Sequence, residues 1–297
     1  MSTFQVTEGV YGIDVDLFDA GFASVYLFDD EEPALVDAGA AASAETILEG
    51  VADCGVDPAE LEHLVLSHIH VDHSGGASAL VEAVPDLDVY IHEMTVPHLV
   101  DPGALVESSK QAMGKHFEAM GEQEPVPEAS VVGVSDEGAT VDLGANSLEL
   151  IHAPGHSPDH LAVWNPERRL LFAAECLGLY LERADRWLPP STLPNFDVEL
   201  IADAIDRLRE LDPERVVLPH FGEWPKEPAV AFETAERELY RFDERIREIH
   251  AETDSVAATK RRVADELVDL APPYDETVED FYTGMVTDGY LKYHGLL

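Results

Sequence analysis

The chain has 297 residues, and its 60 acidic and 18 basic side chains give a formal net charge of -42. This charge argues against nucleic acid or an anionic membrane as a partner, because both are polyanionic and would repel the chain. Only two cysteines are present, and no apolar stretch is long enough to cross a bilayer. We therefore expect a protein of the reducing cytoplasm, without a disulfide framework or a membrane anchor.

The acidic residues are spread along the whole chain and are not gathered in one tail. A surface covered with carboxylates suits high salt, where screening over roughly 3 Å at 1 M limits self-repulsion. The composition therefore predicts an acidic surface and a halophilic source.

The N-terminal half alternates short apolar runs with stretches of helical composition. The predicted strands are 4–10, 15–18, 24–28, 34–36, 64–66 and 89–91, and the predicted helices are 41–54 and 75–84. The strand 64–66 leads directly into a histidine-rich run at 68–73. We expect this run to form a loop beyond a strand end, where α/β folds place their chemistry.

Residues 97–127 have a mixed pattern and are predicted to form a lid, with Met113, Phe117 and Met120 spaced for one helix. Further strands are then predicted at 131–134, 140–143, 147–151, 161–164, 170–173 and 216–218, with a helix at 198–211. Two similar halves placed face to face predict an α/β fold, a four-layer αββα sandwich over residues 1–225.

Residues 226–297 have helical patterns alone and are predicted to form a C-terminal helical extension. An apolar stripe recurs at spacings of three and four, at Phe232, Ala235, Leu239, Phe242, Ile246 and Ile249. Further helices are predicted at 256–270 and 276–291. The stripe needs a partner, which is either the main domain or a second copy in a homodimer.

His68, His70, Asp72 and His73 place three imidazoles and a carboxylate within six residues. Neutral imidazole and carboxylate suit zinc, iron or manganese. On an extended segment the i, i+2 spacing points His68 and His70 to the same side, whereas Asp72 and His73 follow after the chain turns. The run therefore predicts a metal site with room for a second ion.

The motif His-x-His-x-Asp-His resembles that of the metallo-β-lactamase superfamily, over about 6–222 of this chain. The resemblance implies that Asp37 supports the metal loop without binding metal. It also implies that His156 completes one site with His68 and His70, and that His220 completes another with Asp72 and His73. The expected cofactors are two divalent ions, with Zn²⁺ foremost and iron or manganese as alternatives.

Glu175 falls where the superfamily normally has an aspartate that bridges the two metals. Glutamate keeps the charge but adds a methylene, so its carboxylate must arrive from a displaced backbone or a folded rotamer. Two such metals, roughly 3.5–4 Å apart, lower the pKa of a shared water and supply a metal-bound hydroxide as the nucleophile. In this interpretation Asp72 carries the proton to the leaving group.

Several further residues are candidates for the surroundings of the site. His160 is either an outer support of the metal centre or an ordinary structural histidine. The remaining candidates for substrate contact are Tyr180, Glu182, Trp187, Lys260, Arg261 and Arg262. The last three form the longest run of consecutive basic residues, which either binds an anionic thioester conjugate or pairs with nearby acids on a solvated helix face.

The helical extension resembles that of glyoxalase II-like thioesterases and related lactonases. The leading hypothesis is therefore a hydrolase acting on a small acyl substrate, either a thioester, a lactone or a related ester. The same superfamily includes mononuclear iron sulfur dioxygenases, which is one alternative. A weakly catalytic binding protein is the other, because Glu175 could weaken the metal site.

Overall fold

Two β-sheets face each other in a computed structural model that describes residues 2–190 and 195–297. The first sheet has seven strands in chain order. They are β1 (Thr3–Thr7), β2 (Val10–Asp14), β3 (Ser24–Phe28), β4 (Ala34–Val36), β5 (His63–Val65), β6 (Asp88–His92) and β7 (Val131–Val134). Strands β4 to β7 pair in parallel and the preceding pairs are antiparallel.

The second sheet contains β8 (Ala139–Asp142), β9 (Ser147–His152), β10 (Leu161–Asn165), β11 (Leu170–Phe172), β14 (Arg215–Leu218) and β15 (Gly222–Glu223). Their spatial order is β15-β14-β11-β10-β9-β8, with β11 and β14 parallel. A separate hairpin joins β12 (Leu179–Leu181) to β13 (Arg186–Leu188), and the sequence analysis did not predict it.

The helices before residue 190 are α1 (Ala44–Asp53), α2 (Val71–Ser74), α3 (Ala77–Ala83), α4 (Val96–Val100) and α5 (Gly103–Met113). Those that follow are α6 (Val198–Arg209), α7 (Pro228–Glu252), α8 (Val256–Val263) and α9 (Glu276–Tyr293). In the described ranges, no helix is both long and apolar enough to span a bilayer.

Strand alternation divides the core into layers. In β4, Leu35 packs in the cluster that includes Ile47 of α1, whereas Val36 packs with Phe172 and Val217 of the other sheet. Successive strand side chains point to opposite faces, so one face of each sheet meets helices and the other meets the second sheet. The predicted αββα sandwich is therefore confirmed.

Two predicted elements differ from the structure. Residues 15–18 are not a strand, because Asp16 and Phe18 have positive φ angles of 52° and 59° and the chain turns after β2. The prediction of a single helix through Met113, Phe117 and Met120 is also wrong. Helix α5 ends at Met113, where Gly114 has a φ of 55°, and a 3-10 turn follows.

The C-terminal helices pack on the rest of the chain. Helix α7 contacts α6, β13 and β14, and both α8 and α9 pack against α7. The predicted stripe from Phe232 to Ile249 is fully buried within this one chain. Of the two expected partners for the stripe, the structure therefore shows the main domain, and a homodimer would need another surface.

Candidate metal centre

Residues 68–73 follow the parallel strand β5, and Asp37 lies just past the neighbouring strand β4. The sequence predicted a loop over the whole run, but its second half, with Asp72 and His73, forms the first turn of helix α2. The Ser67 N–H donates to Asp37 Oδ1 at 2.8 Å, and the Ser67 hydroxyl donates to Oδ2 at 3.1 Å. His73 Nδ1 lies 2.8 Å from the same Oδ2. Asp37 is 1% exposed and has a φ of 66°, a conformation that aspartate tolerates better than most residues. Asp37 therefore holds both ends of the loop.

Hydrogen bonds at Nδ1 orient three imidazoles so that Nε2 of each ring faces one of two ligand clusters. His68 Nδ1 lies 2.9 Å from the Ser67 hydroxyl, whose proton is already donated to Asp37. His73 Nδ1 binds Asp37, and His220 Nδ1 donates to the Phe22 carbonyl at 3.0 Å. Fixing one ring nitrogen in this way selects the tautomer that offers the other nitrogen to a metal.

His68, His70 and His156 form the first cluster. His156 Nε2 lies 3.1 Å from His68 Nε2 and 3.1 Å from His70 Nδ1. Asp72, His73, Glu175 and His220 form the second cluster, and in each cluster the ligand atoms lie within 4.8 Å of one another. The structure thus brings together the residues that the sequence motifs had grouped, although they are separated by up to about 150 positions.

Glu175 lies between the two clusters. Its Oε2 is 2.6 Å from His156 Nε2 of the first cluster, and its Oε1 is 3.0 Å from His220 Nε2 of the second. The residue sits in a 3-10 turn after β11, where Ala174 has a φ of 45° and the Glu175 N–H donates to His160 Nε2 at 3.1 Å. The turn places the Glu175 carboxylate within reach of both clusters.

Burial and neighbouring charges shift the pKa values of the clustered histidines in opposite directions. Burial lowers the pKa of His68 well below its usual value and that of His70 to about 4, so both rings are neutral at pH 7. Burial also disfavours the protonated form of His220, but the carboxylates of Asp72 and Glu175 outweigh it and raise its pKa to about 9. His73 follows the same pattern, with its pKa raised by the carboxylates of Asp72 and Asp37.

The two carboxylates of the second cluster remain ionised. Burial opposes their charge, but the pKa of Asp72 is lowered by His73 and that of Glu175 by His156. Buried anions of this kind need cations beside them. The raised pKa values of His73 and His220 indicate that their rings supply positive charge, and a metal ion would supply it when bound.

The donor set fits divalent cations. His73 Nε2 is buried and forms no hydrogen bond to the described residues, yet it faces Asp72 Oδ2 at 3.6 Å and Glu175 Oε1 at 3.7 Å. Ligand atoms about 2.1 Å from a shared tetrahedral ion lie about 3.4 Å apart, and the 3.6 Å between His220 Nε2 and Asp72 Oδ2 agrees. These residues therefore suit nitrogen- and oxygen-liganded metals such as zinc, iron or manganese.

Asp159 is a residue of the site that the sequence analysis missed. It is 1% exposed, and its Oδ2 accepts from the Ile69 N–H at 2.8 Å and lies 3.1 Å from the Thr95 hydroxyl. Asp159 thus supports the metal loop from the opposite sheet, as Asp37 does from its own. Its place between His156 and His160 was the only available signal. His160 itself is buried, and burial lowers its pKa well below the usual value.

A cavity of about 390 Å³ opens onto His70, Asp72, Glu175 and His220. Helices α4 and α5, which belong to the predicted lid, form one wall, and α9 forms another. Most of the lining is apolar, with Ile69, Val71, Leu105, Met113, Phe281 and Met285 among its side chains. A second cavity of about 760 Å³ adjoins it and shares Ala112, Met113, Phe281 and Met285.

The placement of Tyr180, Glu182 and Trp187 does not support the predicted substrate contact. Among the described residues that line the metal-site cavity, Leu179 is present and these three are not. The Tyr180 and Trp187 rings instead pack against Trp224, with centroids 4.9 and 4.8 Å from it. Glu182 lies exposed in the turn between β12 and β13.

The three residues of the predicted basic cluster, Lys260, Arg261 and Arg262, lie on α8 but have different surroundings. Arg262 pairs with Glu252 and Glu266, each at 2.7 Å, and does not line either cavity. Lys260 and Arg261 line the second cavity, where Lys260 pairs with Asp288 at 2.6 Å. For Arg262 the structure therefore matches the second of the two alternatives, in which the basic residues pair with nearby acids on a helix face.

Comparison with known proteins agrees with this geometry. Residues 18–220 match the model of the metallo-beta-lactamase superfamily, and the chain belongs to that superfamily. Over 234 residues it is 25% identical to the probable metallo-hydrolase YflN of Bacillus subtilis, in an alignment that covers 73% of this chain and 85% of that protein. It is also 24% identical to the rubredoxin-oxygen oxidoreductase of Megalodesulfovibrio gigas, over 62% of this chain and 41% of that protein.

Two solved structures share the fold over nearly the whole chain. The archaeal superfamily protein ST1585 from Sulfolobus tokodaii aligns with a TM-score of 0.71 at 20% identity, covering 97% of this chain and 98% of that one. The family protein TTHA1429 from Thermus thermophilus aligns with a TM-score of 0.65 at 21% identity, covering 98% and 95%. Because coverage is nearly complete, the shared fold includes the C-terminal helices.

Proposed function

We propose that this protein is a metal-dependent hydrolase of acyl compounds, and that a thioester, a lactone or a related ester is its substrate. One observation carries the proposal: the Glu175 carboxylate lies between two ligand clusters at the base of an apolar cavity. Two divalent cations, for which we propose Zn²⁺, would supply an activated water and a Lewis acid there.

The roles of the protein side chains follow from their positions. Asp72 lines the cavity and stays ionised, with Oδ2 directed at His73 and His220. The Asp72 carboxylate would take a proton from the attacking water and pass it to the leaving group. Asp37 and Asp159 hold the loop rigid, so the ligand atoms keep their geometry as charge develops.

The cavities suggest how an acyl substrate is held. The apolar lining of the first cavity, with Leu105, Met113 and Phe281, suits an acyl chain or ring next to the metal centre. The adjoining second cavity contains Arg261, which suits an anionic leaving group such as the carboxylates or phosphates of a thiol conjugate. Lys260 also lines this cavity, but Asp288 already compensates its charge. A thioester with an acidic thiol portion would occupy both cavities.

Iron-dependent oxygen chemistry is the second candidate. A relative named as an oxidoreductase supports it, and the imidazole and carboxylate set also suits iron. The alignment covers less than half of that relative. The two candidates require different metals and different co-reactants, so they can be separated experimentally.

Elemental analysis of the purified protein, combined with a thioester, lactone and ester panel in high salt, tests both candidates. Zinc with turnover of an acyl substrate supports the hydrolase. Iron with thiol-dependent oxygen uptake supports the alternative and contradicts the proposal. A metal-replete protein that shows neither reaction would contradict both and favour a binding role.

A further inference from the structure

His92, Asp136 and His152 meet at a point apart from the two clusters described above. His92 ends β6 of the first sheet, His152 ends β9 of the second, and Asp136 lies in the turn between β7 and β8. His92 Nε2 is 3.0 Å from Asp136 Oδ1, and His152 Nδ1 is 3.6 Å from the same oxygen. The three ligand atoms lie within 4.8 Å of one another.

The contacts of His152 show which of its nitrogens faces the carboxylate. His152 Nε2 lies 2.8 Å from the Pro158 carbonyl, which can only accept, so Nε2 carries a proton. In the neutral ring, Nδ1 then presents a lone pair to the Asp136 carboxylate at 3.6 Å, beyond hydrogen-bond range. A lone pair beside an anion is unfavourable, and a shared cation would relieve it.

We propose that His92 Nε2, His152 Nδ1 and the Asp136 carboxylate bind one divalent cation of the zinc class. The imidazoles are held on strand ends, with His92 1% exposed, whereas the Asp136 side chain is 76% exposed. The site therefore has two fixed ligands and one mobile ligand, and water completes the coordination. The hydrogen bond from His152 to a backbone carbonyl is the support that metal-bound histidines usually have.

Binding at this site competes with a local contact. In the structure, His92 Nε2–H donates to Asp136, and His92 Nδ1 accepts weakly from the Met94 N–H at 3.4 Å. A cation replaces the Nε2 proton, the ring takes a proton on Nδ1, and the 3.4 Å contact is lost. We therefore expect weaker binding than at the centre around Glu175, so that a mild chelator empties this site first.

The role of this cation would be structural. It would join the ends of β6 and β9 and thus tie the two sheets together at one edge. The Thr95 hydroxyl links this point to the metal loop, because it lies 3.1 Å from the His92 carbonyl and 3.1 Å from Asp159 Oδ2. The cation would therefore steady the loop through Asp159 without contacting substrate.

The test compares Asp136→Asn with Asp86→Asn, an exposed substitution that makes the same charge change elsewhere. Each metal-free protein is loaded with Zn²⁺, passed over a gel-filtration column and analysed for bound zinc. We expect the wild type and D86N to retain one more equivalent per chain than D136N. Equal zinc content in all three proteins would overturn the proposal.

A melting experiment provides an independent measurement. The metal-free forms of the wild type and D136N should melt at similar temperatures, since Asp136 is exposed. Zn²⁺ should then raise the melting temperature of the wild type more than that of D136N. An equal rise would show that the cation stabilises the fold through other residues and would contradict the proposal. His152→Gln should reproduce D136N in both measurements.

Discussion

Glu175 Oε2 lies 2.6 Å from His156 Nε2, although the two residues come from different loops and Glu175 reaches the second cluster with its other oxygen. A single carboxylate thus contacts both sets of imidazoles. Because it supplies negative charge to both sets, its charge should matter more than its length.

Glu175→Gln should lower metal affinity and kcat/KM by more than about 100-fold, because loss of an outer partner alone costs 10–100-fold. Glu175→Asp keeps the charge and should retain more metal than the glutamine variant. Chelator competition and steady-state kinetics measure the two effects. Glu210→Gln changes an exposed acid that directly follows α6, and it is the matched control. If E175Q kept wild-type metal content, the bridging role of Glu175 would be wrong.

The support given by Asp37 can be tested in the same way. Asp37→Asn preserves the left-handed backbone, since asparagine tolerates positive φ, but it places an amide among three hydrogen-bond donors. Metal affinity should fall about 10–100-fold, with a lower melting temperature. Asp86→Asn again serves as the control. An unchanged metal affinity for D37N would show that the loop is held by other contacts.

The sequence predicted the parts of the site that lie in short local motifs. His68 to His73 follow one strand, and Asp37 follows its neighbour, so their proximity could be inferred from a parallel pair. Asp159 could not be found in this way, because its contact with the Ile69 N–H spans 90 positions and depends on how the two sheets face each other. The cluster of His92, Asp136 and His152 could not be predicted for the same reason, because it too depends on how the two sheets face each other.

The errors in the fold have local physical causes. The segment 15–18 is apolar enough for a strand, but the Asp14 carboxylate accepts from the Asp16 and Gly21 N–H groups and turns the chain there. The pattern of apolar residues does not predict such a hydrogen bond between a side chain and the backbone. Strand 34–36 was predicted correctly because it is buried on both faces.

The pKa shifts of His73 and His220 predict a pH dependence for the metal-free protein. Both pKa values are raised in the fold, so these rings contribute stability below pH 6.5 that is lost as the pH rises through each raised pKa, which for His220 is about 9. The free energy of unfolding of the metal-free protein should therefore fall between pH 6.5 and 9. Denaturant titrations at several pH values measure it.

Metal binding should remove this dependence, because a cation replaces the protons on both imidazoles. The metal-loaded protein should show a flatter profile over the same range. Calorimetry in buffers of different ionisation enthalpy should detect protons released on metal addition at pH 7. Metal binding without proton release would contradict the assigned protonation of His73 and His220.

Arg261 and Arg262 are adjacent on α8 but differ in their surroundings, which makes them a matched pair. Arg261 lines the second cavity, whereas Arg262 pairs with Glu252 and Glu266. For an anionic thioester, Arg261→Ala should raise KM about 2- to 5-fold, as expected for one exposed charge pair, and leave kcat unchanged. Arg262→Ala should leave both constants unchanged. If the wild type, R261A and R262A had equal KM values, the second cavity would not be part of the substrate site.

The net charge of -42 predicts that the fold depends on salt. Even if each of the 18 basic residues formed an ion pair, as Arg168 does with Asp30, the net charge of -42 would remain. Lower ionic strength lengthens the range of repulsion from roughly 3 Å at 1 M to about 10 Å at 0.1 M. The melting temperature should therefore rise with KCl over this range. Sucrose is the control, because it stabilises folded proteins by being excluded from their surface and does not screen charge. It therefore separates charge screening from general stabilisation by a solute. If KCl raised the melting temperature no more than sucrose does, self-repulsion would not be what limits this fold.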